Sequence, residues 1–268
     1  MVLESMMNPK NAEDKPWHVF AIALIYTLIA IAVSYFLFPM QSSILSVAFV
    51  TIIFVPFFQK LFTLEEEKED LAAEKKLKKS LWARHVQIIY VFSAFFLGVV
   101  IAMSFVFIFF PNENIFSLQS DTLHALSGEA TAAGGDFSRF FFNNTQVMIL
   151  MFLLSLLFGA GSIFILSWNA SVVAVYAGLA AKSLVVQGSS TTTAYLFGVP
   201  IGLSAIALHG IPEMIAYFIA GLGGGILSVG LVREKLHGKN FHLILTDSLK
   251  LLVLAEILIF LAAIIEAV

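Results

Sequence analysis

An all-α, polytopic bundle of transmembrane helices is the fold class this sequence predicts, and three observations predict it. Of its 268 residues, 59% are hydrophobic and 12% are charged, against roughly 45–50% and about 25% in a soluble domain. So little charge cannot coat a water-facing surface, and the mean hydropathy of +0.93 agrees. Several apolar runs reach the ~20 residues that a spanning helix needs. Lysine and arginine gather in two of the segments between those runs and almost vanish from a third, which is the asymmetry of a polytopic protein. The 27 phenylalanines suit lipid-facing or tightly packed helix surfaces.

The elements follow in order. Residues 1–15 are polar with mixed charge and lack the basic start, short apolar core and small-residue cleavage site of a signal peptide. Residues 17–38 make the first span, bounded by Pro39. Residues 43–58 contain Pro56 and form either a tilted second span or the returning half of a hairpin. Residues 86–110 and 146–166 are spans, and 251–268 is the last. Three shorter apolar pieces, 169–186, 193–208 and 212–232, lie between them. The first two are near or below the spanning minimum. One piece is therefore expected to be broken or re-entrant, which is allowed only where protein or water satisfies the backbone. The total is about six to eight hydrophobic helices.

Charge orients them. Residues 59–85 hold Lys60, Lys68, Lys75, Lys76, Lys78, Lys79 and Arg84, and 233–250 hold Arg233, Lys235, Lys239 and Lys250, whereas 111–145 hold Arg139 alone. The positive-inside rule places the first two in the cytoplasm and the third outside. The N-terminus is then cytoplasmic. Returning to the cytoplasm at Arg233 requires two crossings plus one re-entrant piece in the difficult region, giving seven spans and an outside C-terminus.

Three parts follow: a tail and hydrophobic hairpin over 1–63, a charged cytoplasmic helix over 64–85, and a transmembrane domain over 86–268 with an extracytoplasmic segment at 111–145. In 64–85 acids come first and bases follow, which suits a helix macrodipole, and Glu74 with Lys78 has the attractive i,i+4 spacing. This stretch is either a solvated linker helix or a docking site for a cytoplasmic partner. In 111–145, Gly134-Gly135 break the chain, and Phe137, Phe140, Phe141 and Phe142 are expected at the bilayer surface. Asn143-Asn144-Thr145 fits a glycosylation acceptor, but so close to a span it reads better as a helix cap.

Polar side chains at membrane depth are costly, so each calls for a partner or a role. Asn169, His209, Glu213, Glu256 and Glu266 are the candidates. Pro212 suits the first turn of a helix, placing Glu213 at the positive end of a dipole with His209 four residues earlier. Either this is a capped helix start or it is a proton-sensitive or ligand-binding pair inside the bundle. Small residues at Gly159-Ala160-Gly161, Gly178, and Gly221 with Gly223, Gly224 and Gly225 favour close helix packing over a permeation path.

Several chemistries are excluded. A net charge of −3 gives no basis for nucleic acid as a partner. With no cysteine there is no disulfide framework or thiolate metal site. There is no HExxH pattern, Walker-type loop or serine with a paired base. The Glu-Glu pairs sit in the water-soluble stretch 65–67, unlike those of a CAAX-type intramembrane protease. No cofactor, metal or enzymatic activity is expected.

Phe142-Asn143-Asn144, leading through Gly159 and Gly161 to Asn169 and Gly178, resembles the first signature of the stage II sporulation protein M family. His209-Gly210-Ile211-Pro212-Glu213, followed by Ile219-Ala220-Gly221, resembles the second. The apolar close through Leu261 to Ala267, with Glu266 near its end, resembles the third. The resemblance covers roughly residues 80–268, leaving 1–63 as an elaboration. It implies an integral membrane protein acting as a scaffold or partner of envelope proteins. Asn144, Asn169, His209, Glu213 and Glu266 match its polar positions, as helix–helix contacts or a buried binding site. Expected partners are the lipid bilayer and a membrane or envelope protein. The alternative is a transporter or permease subunit with a polar site near His209 and Glu213, since discontinuous helices build such sites near the midplane.

Overall fold

The computed structural model describes residues 8–74, 81–111, 113–133, 137–234 and 238–268. Among these, all regular structure is helical. The helices are α1 (Pro9–Asp14), α2 (Pro16–Leu37), α3 (Ser42–Glu74), α4 (Leu81–Phe109), α5 (Ser117–Ala133), α6 (Phe137–Phe158), α7 (Ser162–Val186), α8 (Thr191–Arg233) and α9 (Lys239–Ala267), with 3-10 turns at Pro39–Gln41 and Glu113–Ile115. All but α1 and α5 are long and apolar enough to cross a membrane, seven in number. The expected pairing of Glu74 with Lys78 and the break at Gly134-Gly135 lie outside the described residues.

Seven is the expected number, but the segments differ. The run 146–166 is not one span: Gly159-Ala160-Gly161 interrupt it. Gly159 takes φ +70°, a left-handed conformation in which a Cβ is strained. The turn is closed by the Ser155 hydroxyl, which donates to the Ser162 Oγ at 2.6 Å and accepts from its backbone N–H at 3.3 Å. The pieces 193–208 and 212–232 are one continuous helix, α8, with Pro200 and Pro212 inside it. Each proline removes a helical donor and crowds the carbonyl four residues earlier. A spanning chain has no better alternative than to stay helical, because unwound backbone in lipid goes unsatisfied. The expected re-entrant piece is thus absent among the described residues. Ser190 caps the start of α8 by accepting the Thr193 N–H at 3.2 Å. At 1.5 Å per residue α8 is ~64 Å long, about twice the hydrocarbon thickness.

The first hairpin packs by small residues. Helix α2 buries Ala23, Thr27, Ala30 and Ser34 and leaves Trp17, Ile25 and Phe36 exposed. Gly98 of α4 receives it: a Cβ there would lie 2.6 Å from the Phe20 carbonyl oxygen. Many phenylalanines go to the core. Phe58 of α3 stacks on Phe92 of α4 at 4.8 Å between centroids, and Phe92 on Phe218 of α8 at 5.4 Å. Phe137 and Phe141, expected at the bilayer surface, belong to α6 and pack edge-on against Phe260 of α9.

One end of the bundle is held by charge. Helix α3 carries the acidic stretch as its own continuation, so residues 64–74 are not the start of a separate helix. Glu65 and Glu66, expected to be solvated, are each 1% exposed. Glu65 lies 2.6 Å from His85 of α4 and 2.7 Å from Lys68, which also meets Glu13 of α1 at 2.6 Å. Arg233, at the end of α8, reaches Glu66 at 2.9 Å and Glu67 at 3.1 Å. Arg84 meets Asp247 of α9 at 3.1 Å. Burial raises the Glu13 carboxyl to about 7, with Lys68 opposing and Glu65 adding to the shift.

Candidate functional site

Away from the charged end, α4, α6, α7, α8 and α9 separate around a cavity of about 1060 Å³, which α5 touches through Leu123. Ligand sites commonly occupy ~300–1,000 Å³, so the space suits a drug-sized or larger molecule. Residues between Leu203 and Phe218 of α8 line it, on both sides of Pro212. None of residues 203–215 is fully buried, whereas all of 216–227 are.

All five residues proposed from the sequence line this one cavity: Asn144, Asn169, His209, Glu213 and Glu266. They come from four helices. Asn144 is two turns inside α6 and 7% exposed, so it is no helix cap, and it accepts a hydrogen bond from Asn143 at 3.3 Å. Asn169 donates to its own helix at the Ile165 carbonyl, 3.0 Å away, leaving its amide oxygen free of that bond. Pro212 is mid-helix, so Glu213 is not at a helix start. The Tyr217 phenol, one turn on, lies beside the Glu213 carboxyl instead. Glu266, one residue from the end of α9, shares the lining with His209 of α8 and Arg139 of α6.

Arg139 and Tyr217 are among the cavity residues missed in the sequence. Arg139 had a signal, being the lone cation of 111–145. Tyr217 had one too, standing four residues after Glu213 and so one turn on within the expected helix 212–232. Glu256, the remaining costly side chain, faces elsewhere: it accepts from Thr145 of α6 at 3.0 Å, and its other oxygen is buried without a partner. Among the described residues no group of three or more histidines or carboxylates is placed to hold a metal ion.

Below the cavity the small residues close the bundle. A Cβ on Gly224 would strike the Phe152 carbonyl of α6, one on Gly225 the Phe62 ring of α3, and one on Gly221 the Ser162 hydroxyl of α7 at 2.8 Å. The glycine run is therefore a packing surface, as its sequence context indicated.

Fold and cavity together define a multi-pass helical membrane protein with a part-open cavity between its helices. The chain belongs to the stage II sporulation protein M family, whose model matches residues 91–268, about two-thirds of its length. The match begins within α4 and contains every one of the five proposed site residues. No curated protein and no solved structure matches the chain.

Proposed function

We propose that this protein is a non-enzymatic membrane transport subunit that takes an amphipathic small molecule into the cavity. The observation that carries the reading is the convergence of Asn144, Asn169, His209, Glu213, Glu266 and Arg139 on a single ligand-sized hollow with otherwise largely apolar walls. Polar groups at depth are costly and persist where they serve a path or a site. The kink-prone stretch of α8 around Pro212 supplies the wall that can move. The ion-paired end is assigned to the cytoplasm by its lysines and arginines, which puts the N-terminus inside and, with seven crossings, the C-terminus outside.

Native mass spectrometry of the chain purified in mild detergent tests this. A bound small molecule is expected to leave with the wild-type protein and to be lost from Ala207→Trp, which fills the cavity, at unchanged thermal stability. Equal ligand retention in both proteins would refute it.

A second reading, a scaffold for a membrane or envelope partner, is favoured by α5. This helix lies off the spans, tied down by Gln119, whose amide meets Ser43 and Ser171, while Leu118 and Asp121 stay exposed. Crosslinking pull-down from membranes separates the two readings. One stoichiometric protein partner, recovered equally by Ala207→Trp, favours the scaffold.

A further inference from the structure

This inference rests on the cavity being a ligand site and names the class of ligand. The charges around the cavity are not shared evenly. The lining holds two carboxyl groups, Glu213 of α8 and Glu266 of α9, against one arginine, Arg139 of α6. Arg139 sits on the stretch of α6 that packs on α9 through Phe137, Phe141 and Phe260, on the side of Glu266. Glu213 is therefore the carboxyl group of the lining with no arginine or lysine of its own among the described residues.

Aromatic side chains stand among the aliphatic ones of the cavity wall: Phe140 of α6 and Tyr176 of α7 are partly exposed, while Phe96 of α4 and Tyr217 and Phe218 of α8 lie buried behind them. Aromatic faces attract cations, the more so when water is excluded. A carboxylate in such a wall disfavours an anion by repulsion, and a neutral ligand leaves its charge uncompensated. A small inorganic cation fits poorly as well, because it requires many oxygen ligands and no cluster of carboxylates or histidines is present among the described residues. An apolar body carrying one positive charge satisfies both the carboxylate and the wall.

We propose that the cavity binds a lipophilic organic cation, with its charged centre against Glu213 and its apolar body against the wall that holds Phe140 of α6 and Tyr176 of α7. A free lipophilic amine and the ammonium headgroup of an aminophospholipid share this chemistry.

Two probes of the same shape and opposite charge test it: tetraphenylphosphonium and tetraphenylborate, titrated against the full chain in detergent micelles with protein-free micelles subtracted. The phosphonium is expected to bind about tenfold more tightly than the borate or better, and Glu213→Gln to lose about tenfold in phosphonium affinity while Glu213→Asp keeps most of it. Size-exclusion profiles like that of the wild type would show that both variants fold. Competition by phosphatidylethanolamine but not phosphatidylcholine assigns the cation to a lipid headgroup, and no competition by either assigns it to a free amine. Equal binding of the borate, or an unaffected Glu213→Gln, overturns the charge assignment while leaving the cavity as a site for apolar molecules. If neither ion nor neutral triphenylmethanol binds, and Ala207→Trp changes nothing, the ligand-site reading falls with it.

Discussion

Helix α8 presents two different surfaces on one rod. Every residue of 216–227 is buried, and none of 203–215 is. The first stretch carries Gly221, Gly223, Gly224 and Gly225, and there α3, α6, α7 and α9 close in on its backbone. The second carries Leu203, His209, Pro212 and Glu213, and there the neighbours stand off around about 1060 Å³. The contrast teaches that density in this bundle is set by side-chain size along one helix. In lipid, packing and polar contacts replace the hydrophobic effect as the force between helices. A run of glycines therefore acts as a clamp, and its absence twelve residues earlier leaves a hollow.

Four experiments would break or sharpen the comparison. The largest effect is expected where the sealed half runs into the ion-paired end. Glu65→Ala leaves Lys68 and His85 facing a buried gap, and breaking such a pair costs about 3–5 kcal/mol. Thermal unfolding in detergent should show a large drop in midpoint, and an unchanged midpoint would mean that this end does not hold the bundle.

Next come two identical substitutions in the two halves. Gly224→Ala drives a methyl into the Phe152 carbonyl, while at Gly210 the nearest atoms to a new methyl belong to Ile206, 4.0 Å away. The first should cost about 1–3 kcal/mol. The second should be neutral or stabilising by up to about 1 kcal/mol, since alanine is the better helix former. Equal recovery of monodisperse protein from both would erase the distinction between sealed and hollow.

A smaller effect is expected at the boundary of the two halves. Tyr217→Phe removes a buried phenol hydroxyl beside Glu213, expected to cost about 1 kcal/mol or less, read as a shift in the same unfolding midpoint.

The smallest concerns α1 and pH. Burial raises Glu13 from 4.5 to about 7, so the folded state holds its proton more tightly than the unfolded state does. The contribution to stability is complete below about 4.5 and is lost as pH rises through about 7. Helix α1 should dock more firmly at pH 5.5 than at pH 8. The chain has no native cysteine, so labelling of Ala12→Cys, normalised to Asn11→Cys, measures this. Glu13→Gln should flatten the response, and a flat wild-type response would remove Glu13 from the docking.

Much of the fold was legible because a span needs ~20 apolar residues, and seven such helices are present. Their limits were harder. Apolarity runs straight through Gly159-Ala160-Gly161, so 146–166 passed for one helix when a left-handed glycine ends it. Pro212 passed for a helix start because the rule for water-exposed chains was applied where lipid keeps the helix whole. The five polar residues could be picked out singly, each being costly at depth. Their meeting in one cavity could not, since it depends on how α6, α7, α8 and α9 stack. The burial of Glu65 and Glu66 was hidden for a related reason: nothing local shows that α1, α4 and α8 converge on them.

The links around α7 limit how the hollow can change shape. Three residues join α6 to α7 and four join α7 to α8. Even fully extended, such links reach only about 10–14 Å, less than half of the ~30 Å hydrocarbon layer. Each of these helices must therefore begin on the side of the membrane where its neighbour ends. The three are held as an antiparallel zigzag whose turns cannot be pulled through the lipid, so any widening of the hollow has to come from tilting or bending of the helices and not from exchange of their order.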